Sequence, residues 1–392
     1  MERSVIVAGT RTPIGKLSGS LASLRAVDLG AHAIAALLAR ADVPIQTIDA
    51  VIMGHVLQAG AGQNSARQAA VAGGVPMSVS ATTVNKVCLS GLQSLYLADV
   101  MLRSGDASMV VAGGMESMTN APYILPEARS GYRYGDHTMI DALTHDGLTC
   151  AFDNCAMGTA TERYNGGRFS RARQDEFAVR SHELAAAAQL NGLFNAEITP
   201  LTITPAKGDP VVMSKDEGVR PTTDVASLAR LAPAFDENGT ITAGNASQIS
   251  DGGAALLVTS ARHAAALGLE VLGELVSYAQ VGGPDASLLH QPAHAIREAL
   301  YRADVALKDL SFVEINEAFA AVALASMDEL ELDESFVNPN GGAIALGHPI
   351  GMSGTRLVLT ALNELHRRGG GMAAVSLCGG GGQGDAAVLL VR

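Results

Sequence analysis

Cys88 is the first residue whose surroundings could support covalent chemistry. It follows a β-branched run at residues 79–84 and precedes an apolar, helix-like segment that ends near Gly105. A strand-to-helix turn would place the thiol at a helix N-terminus, where N–H groups and the helix dipole favour a thiolate. The same N–H groups could stabilise the oxyanion of a thioester. The alternative is a buried structural cysteine, which is the commoner role of a single cysteine.

His348 and Cys378 lie in two glycine-rich segments of the second half of the chain. His348 is flanked by glycines and followed by Pro349, so its loop can turn tightly and bring the imidazole to a thiol. The alternative is a turn histidine that only hydrogen-bonds the backbone. Cys378 ends an apolar run at residues 374–377 and begins a glycine run at 379–384, whose N–H groups a ligand could approach closely.

Asn316 follows the apolar strand predicted at residues 312–315. It could cap the next helix or hold a water in an active site, and helix capping is the favoured interpretation of this residue alone. His145, Cys150 and Cys155 have a spacing that fits no standard zinc site. We therefore expect no bound metal.

A duplicated scaffold is expected to position these residues. Residues 31–34 (AHAI) and 40–43 (RADV) recur in the same register at 293–296 and 302–305. Both copies of the repeat occur in the same pattern, which is an amphipathic helix followed by a turn and an apolar strand. Alternating strands and helices predict βαβ units and a largely parallel sheet in each half. Between the halves, residues 119–250 are richer in turns and charge and contain one clear helix at 172–191.

Composition and charge restrict the class of protein. The chain of 392 residues is 48% hydrophobic and 17% charged, which is typical of a multidomain globular protein. Its formal net charge of −12 argues against a nucleic-acid binder. There is no apolar stretch of about 18 residues for a membrane span, and no leader is recognised. The expected location is the cytoplasm.

Taken together, the motifs resemble those of the thiolase family over the whole chain. Residues 84–91 (VNKVCLSG) are similar to its acyl-enzyme cysteine motif, and 316–320, 341–351 and 378–384 to its three C-terminal motifs. The resemblance implies a thiolase-like α/β fold, with duplicated halves in a layered α-β-α-β-α core and a long lid or loop insertion. The implied domains are 1–118 completed by about 251–269, a loop domain at 119–250, and 270–392.

The resemblance implies a ping-pong acetyl-CoA C-acetyltransferase that uses coenzyme A as substrate and product and holds no tightly bound cofactor. His348 would deprotonate Cys88, which becomes acylated. Cys378 would move the α-proton of acetyl-CoA. His348 and a water on Asn316 would bind one thioester oxygen, and the N–H groups of Cys88 and Gly380 the other.

The remaining expectations concern substrate contacts and assembly. By matching position, the implied contacts of coenzyme A are Arg220, Ser227, Phe235, Ala243 and Ser247, and those of the acyl group are Leu148, Met157, Ala318 and Phe319. The segment 129–136 resembles a tetramerisation loop, which implies a homotetramer formed by two tight dimers.

Ala156 departs from the family pattern, because biosynthetic members commonly carry a His there. This change leaves a degradative 3-ketoacyl-CoA thiolase for longer or branched chains, as in β-oxidation, as an alternative. A non-catalytic acyl-CoA or lipid carrier would not need Cys88, Asn316, His348 and Cys378. A decarboxylating ketoacyl synthase would have a Cys-His-His arrangement in place of the Cys378 loop.

Overall fold

The first half of the chain is a series of strands and helices ending in a long buried strand. The computed structural model describes residues 3–204 and 208–392. In chain order, the first elements are β1 (Ser4–Arg11), β2 (Gly15–Lys16), α1 (Ala26–Ala41), β3 (Ala50–Gly54), α2 (Ser65–Ala72), β4 (Ser80–Val84), α3 (Ser90–Ser104) and β5 (Met109–Ser117).

The insertion follows β5 and consists of short elements around one long helix. They are β6 (Tyr123–Ile124), β7 (Ile140–Asp141), β8 (Thr149–Cys150), β9 (Cys155–Ala156), α4 (Met157–Asn165), α5 (Arg171–Leu190), β10 (Leu201–Ile203), β11 (Val211–Met213) and α6 (Val225–Ala229). In the part of the insertion that the structure describes, the short strands pair with one another as three two-stranded antiparallel ribbons. The helix expected at 172–191 is α5, which Ser170 caps by accepting a hydrogen bond from the N–H of Arg173.

The last part of the chain returns to the core. Its elements are β12 (Ser250–Ser260), α7 (Ala261–Leu267), β13 (Gly273–Gly282), α8 (Gln291–Ala303), β14 (Phe312–Ile315), α9 (Ala320–Leu330), α10 (Ala343–Leu346), α11 (Ser353–Arg367), β15 (Gly371–Gly379) and β16 (Gln383–Val391). Among the described residues, no helix is both long enough and apolar enough to cross a membrane.

The sheet confirms the duplication inferred from the repeats. Its strand order is β14-β15-β16-β13-β1-β12-β5-β3-β4. Going outward from the β1–β13 pair, the corresponding strands of the two halves follow in the same order. That junction is narrow, because the pairing covers only residues 4–6 of β1 and 273–275 of β13.

The expectation of a largely parallel sheet is wrong. Only β3 with β4, β3 with β5, and β14 with β15 pair in parallel, and the other pairs of the central sheet are antiparallel. The turn at residues 380–382 between β15 and β16 is too short for a crossover, so β16 must run antiparallel to β15. The sheet is therefore mixed.

Three hydrophobic clusters define five layers. The middle cluster contains α3 and α11, which pack on each other and on strands from both halves. The second lies between α1, α2 and the first half of the sheet, and the third between α8, α9 and the second half. The layered α-β-α-β-α core expected from the sequence is thus confirmed, and α3 and α11 carry the segments that enter the site at their N-terminal ends.

A buried ion cluster attaches the insertion to the core. Arg11 at the end of β1 is fully buried and donates to both carboxylate oxygens of Asp216, at 2.7 and 2.9 Å. Its Nε also donates to Glu197, at 2.8 Å. Because an isolated buried charge is costly, this pairing fixes how the insertion packs against the core.

Candidate active site

A cavity of about 420 Å³ lies where the two halves meet the insertion. The first half contributes Val87 and Cys88 from the turn before α3, and the second half contributes residues of four loops. Its further lining residues are His145, Asp146, Gly147, Leu148, Thr149, Ala151, Phe152, Met157, Ser247, Leu288, Ala318, Phe319, His348, Ile350, Cys378, Gly380 and Gly381. Both cysteines and the histidine singled out in the sequence therefore face one space.

The turn before α3 holds the backbone in a costly conformation. Val87 has a φ of 52°, in the left-handed region that a β-branched residue rarely occupies. The Ser90 hydroxyl donates to Val87 O at 2.6 Å and accepts from Lys86 N at 2.8 Å. Asn85 Oδ1 accepts from Val87 N at 3.0 Å. These bonds hold the strained turn, which projects Cys88 at the start of the helix.

The electrostatics of Cys88 differ from the sequence expectation. Burial raises the pKa of its thiol to about 12, its own backbone N–H lowers it, the Glu116 charge raises it, and the N–H of Gly380 lowers it. Burial therefore outweighs the helix terminus that was expected to favour the thiolate, and it favours the protonated thiol, from which His348 would take the proton. The two N–H groups nevertheless lie where they can interact with negative charge developing beside the sulfur.

His348 is a neutral base with a defined tautomer. Burial, with a smaller effect of Arg356, lowers its pKa to about 3. Its Nδ1 lies 2.6 Å from Ser353 Oγ, and this hydroxyl donates its own proton to Pro349 O at 2.9 Å. The serine must therefore accept from Nδ1–H. Nε2 is left without a proton and can accept one.

Glu116 supports the loop that carries His348. Its carboxylate accepts from the backbone N–H groups of Val56 and Leu57, both at 3.1 Å, and of Gly351 at 3.0 Å. It is fully buried, and burial raises its pKa to about 8. Glu116 thus ties the end of β5 to the loops after β3 and after His348.

Cys378 is the last residue but one of β15, just before the tight turn to β16. Burial, and to a smaller extent Cys88, raises the pKa of its thiol. Within the turn, Gly382 has a φ of 67°, and a Cβ there would lie 1.8 Å from Asp285 O. Only glycine fits this position, which explains part of the glycine run.

Asn316 does not cap the following helix, so the capping interpretation is wrong. Helix α9 begins at Ala320, and its N-cap residue is Phe319. Asn316 is fully buried, and its Nδ2 lies 3.4 Å from His348 Nε2. Its Oδ1 is buried without a hydrogen-bond partner. The side chain therefore belongs to the surroundings of His348.

The expected acyl contacts Leu148, Met157, Ala318 and Phe319 line the cavity, as do Ser247 and Gly380. Four expected coenzyme A contacts, Arg220, Ser227, Phe235 and Ala243, are not among its lining residues. Phe235 lies next to it, with its ring edge-on to Phe319 at 6.1 Å between centroids. Ser227 forms a capping box with Asp224 at the start of α6.

The sequence interpretation missed much of the wall formed by the insertion. His145 and Asp146 lie in a π-helical turn at Leu143–Gly147, and Ala151 and Phe152 lie in the turn between β8 and β9. Short irregular segments have no periodicity from which their position could be inferred. The one signal in the sequence was Phe152, an aromatic residue followed directly by the polar residues Asp153 and Asn154.

Comparison with known proteins identifies the family. A family model described as the thiolase N-terminal domain matches residues 4–262, and one described as the thiolase C-terminal domain matches residues 269–391. The chain belongs to the thiolase family. The resemblance inferred from the four motifs is confirmed, and so is the thiolase-like fold.

Relatives in this family are similar along nearly their whole length. A protein of Mycolicibacterium smegmatis named probable acetyl-CoA acetyltransferase is 54% identical, over 98% of this chain and 100% of its own. An acetyl-CoA acetyltransferase of Pseudomonas aeruginosa is 47% identical, over 99% of both chains. A probable acetyl-CoA acyltransferase of Staphylococcus epidermidis is 45% identical, also over 99% of both.

Proposed function

We propose that this thiolase is an acetyl-CoA C-acetyltransferase, which condenses two acetyl-CoA to acetoacetyl-CoA and coenzyme A or catalyses the reverse thiolysis. One observation carries the proposal: Cys88, His348 and Cys378 line one cavity, with the N–H groups of Cys88 and Gly380 acting on the Cys88 sulfur. The names of the relatives support the same activity.

In the first half-reaction, Cys88 is the nucleophile. His348 Nε2, which carries no proton, takes the thiol proton as the sulfur attacks the thioester carbonyl. The N–H groups of Cys88 and Gly380 stabilise the oxyanion, and the imidazolium returns its proton to the departing coenzyme A thiolate. Because burial keeps the free thiol protonated, the thiolate forms only as the substrate is attacked.

In the second half-reaction, the thiolate form of Cys378 takes the α-proton of a bound acetyl-CoA. His348 and a water held by Asn316 bind the enolate oxygen. The carbanion attacks the Cys88 acyl-enzyme and expels the Cys88 thiolate, which then takes up the proton that Cys378 removed from acetyl-CoA. In thiolysis, the protonated Cys378 gives its proton to the departing carbanion. The raised pKa of Cys378 suits that acid role, and the unpartnered Oδ1 of Asn316 supports a water site.

The insertion covers this cavity and binds coenzyme A. Residues 119–250 act as the loop domain between the halves 1–118, completed by 251–269, and 270–392. Ser247 and the Phe235 ring, next to Phe319, are near enough to the cavity to line a pantetheine path. Arg220 and Ser227 bind the adenine end. The chain requires no tightly bound cofactor.

The segment 129–136 mediates a homotetramer of two tight dimers. It lies between β6 and β7, and Tyr134 within it is fully exposed. Analytical ultracentrifugation of the wild type and of a Tyr134→Asp variant tests this, with conversion of tetramer to dimer in the variant as the expected result. The cytoplasmic location inferred from the sequence stays a prediction.

A degradative thiolase for longer 3-ketoacyl-CoA chains is the second candidate. Ala156 favours it, because a small residue directly before the cavity residue Met157 leaves more room than the His common in biosynthetic members. The Staphylococcus epidermidis relative, whose name is the broader acyltransferase, is consistent with either substrate range.

Thiolysis of 3-ketoacyl-CoA substrates of increasing length separates these functions, with Cys88→Ser as the inactive control. Fastest turnover of acetoacetyl-CoA is expected. Turnover that favours longer chains would assign the protein to β-oxidation, and Ala156→His should then shift the preference toward acetoacetyl-CoA. Absence of turnover with every substrate would contradict the enzyme and favour the acyl-CoA carrier.

A further inference from the structure

Two cysteines outside the catalytic group lie opposite each other at the base of a hairpin. Strands β8 and β9 are antiparallel, with Cys150 directly opposite Cys155. Leu148 and Met157 form the pair two positions away from the cysteines. Met157 N donates to Leu148 O at 2.8 Å, so this is a hydrogen-bonded pair of the ladder. By alternation the cysteine pair is of the same type, with a Cα separation of about 5.5 Å. Disulfides form at Cα separations of roughly 4.4–6.8 Å.

Their side chains share the face of the hairpin that is turned toward a small hydrophobic cluster. Cys150 and Cys155 both pack with Ala160, Ala286 and Met157. Directly opposed residues on antiparallel strands project to the same side. Neither cysteine is among the lining residues of the cavity, although the neighbouring Leu148, Thr149 and Met157 are. A bond between the two sulfurs would therefore form in the cluster and would not fill the active site.

The two thiols differ in access. Cys155 is partly exposed, and the Arg163 guanidinium donates to its sulfur at 3.6 Å. Cys150 is 1% exposed, and its thiol donates to the Asp153 carboxylate at 3.4 Å. The guanidinium beside the accessible sulfur can stabilise negative charge that develops on it, and the carboxylate accepts a hydrogen bond from the buried thiol.

The hairpin tip forms part of the active-site wall. Ala151 and Phe152 line the cavity. The Phe152 ring lies against Gly381, where an added Cβ would be 2.9 Å from the ring. The tip therefore rests on the turn that contains Gly380, beside the cavity that holds the substrate in the proposed function, on which the following inference rests.

We propose that Cys150 and Cys155 form a reversible disulfide by exchange with a low-molecular-weight disulfide, and that this bond slows turnover by fixing the hairpin tip. The Cys155 thiolate attacks one sulfur of the small disulfide and releases one small thiolate. Cys150 then loses its proton to Asp153, attacks the Cys155 sulfur and releases the second small thiolate. Two protein thiols are oxidised and one small disulfide is reduced to two thiols.

Peptide mapping tests the bond independently of the enzyme's substrate. The full-length protein is incubated with oxidised glutathione, its free thiols are alkylated, and it is cleaved on the N-terminal side of aspartates. Cleavage before Asp153 separates the two cysteines, so the peptides 146–152 and 153–174 stay linked only through a disulfide. Linked peptides that separate on reduction are expected. Their absence after prolonged incubation would overturn the proposal.

Two matched variants test the order of attack. Cys150→Ser should accumulate a mixed disulfide with glutathione at Cys155, because no second thiol resolves it. Cys155→Ser should leave Cys150 unmodified, because the remaining thiol is buried. The reverse pattern would contradict the assigned order.

Measuring activity before and after oxidation tests whether the disulfide slows turnover. The oxidised wild type should lose roughly threefold or more in kcat and regain it with dithiothreitol, since lid movement often limits turnover. Any oxidation of Cys88 or Cys378 affects the Cys155→Ser variant equally, so only the difference between the two proteins reports on the hairpin. Equal losses in both, or a linked hairpin with unchanged turnover, would refute regulation.

Discussion

Replacing Ser353 by alanine removes the group that determines which nitrogen of His348 carries the proton. The serine hydroxyl lies 2.6 Å from Nδ1 and donates to Pro349 O, so it can only accept from the imidazole. In Ser353→Ala the Nδ1–H is either buried without a partner, or the proton moves to Nε2. Both outcomes oppose proton transfer from Cys88 to Nε2.

The expected loss follows from the cost of an unpaired buried donor. That cost is about 1–3 kcal/mol. Since each 1.4 kcal/mol corresponds to about a tenfold change in rate, kcat/KM should fall by about 5- to 150-fold. The assay is thiolysis of acetoacetyl-CoA under initial-rate conditions, together with thermal unfolding to confirm that the variant is folded.

Thr360→Val is the matched control. It also removes a buried hydroxyl from α11, one that donates to Glu197 at 3.2 Å and does not contact the His348 loop. Its kcat/KM should stay near that of the wild type. A folded Ser353→Ala enzyme within about twofold of wild-type kcat/KM, or equal losses in the two variants, would refute the tautomer argument.

Three further changes test the stability of the scaffold. Arg11→Met should lower the free energy of unfolding in urea by about 3–5 kcal/mol, because it leaves two buried carboxylates without their cation. Arg25→Met, which removes an exposed ion pair, should lower it by less than about 1 kcal/mol. Equal effects of the two changes would contradict the buried-charge argument. Glu116→Gln should lower the free energy of unfolding by about 1–3 kcal/mol. The pKa of the Glu116 carboxyl is raised to about 8, so the folded state keeps a proton that the unfolded state releases. The stability of the wild type relative to the variant should therefore fall as pH rises from about 4.5 to 8. A pH-independent difference between these two proteins would contradict that shift. Gly382→Ala should greatly lower the thermal unfolding temperature, because its Cβ would lie 1.8 Å from Asp285 O, and an unchanged temperature would contradict the assigned turn.

The sequence predicts the positions of the regular elements well, because their periodicity and turn residues are local. The strand expected at 79–84 is β4 (Ser80–Val84), and the helix expected to end near Gly105 is α3, which has Gly105 as its C-cap. The two cysteines and the histidine face one cavity because each follows or precedes such an element.

Features set by tertiary contacts could not be inferred in this way. Strand direction depends on how far a connection must reach, which is why the largely parallel sheet was wrong. Asn316 lies four residues before the first residue of α9, so capping geometry is absent although the residue type favours it. The protonation of Cys88 depends on burial by distant segments, and burial outweighs the local helix terminus.

Trapping the acyl-enzyme tests the central claim, that Cys88 is the acylated nucleophile, most directly. The protein is incubated with acetyl-CoA, quenched in acid, digested and examined by mass spectrometry, with Cys88→Ser as the control. The account predicts one acetyl group on the peptide containing Cys88, release of free coenzyme A, and no adduct in the variant. Acetylation of Cys378 or another residue in its place, or turnover without any adduct on Cys88, would contradict it.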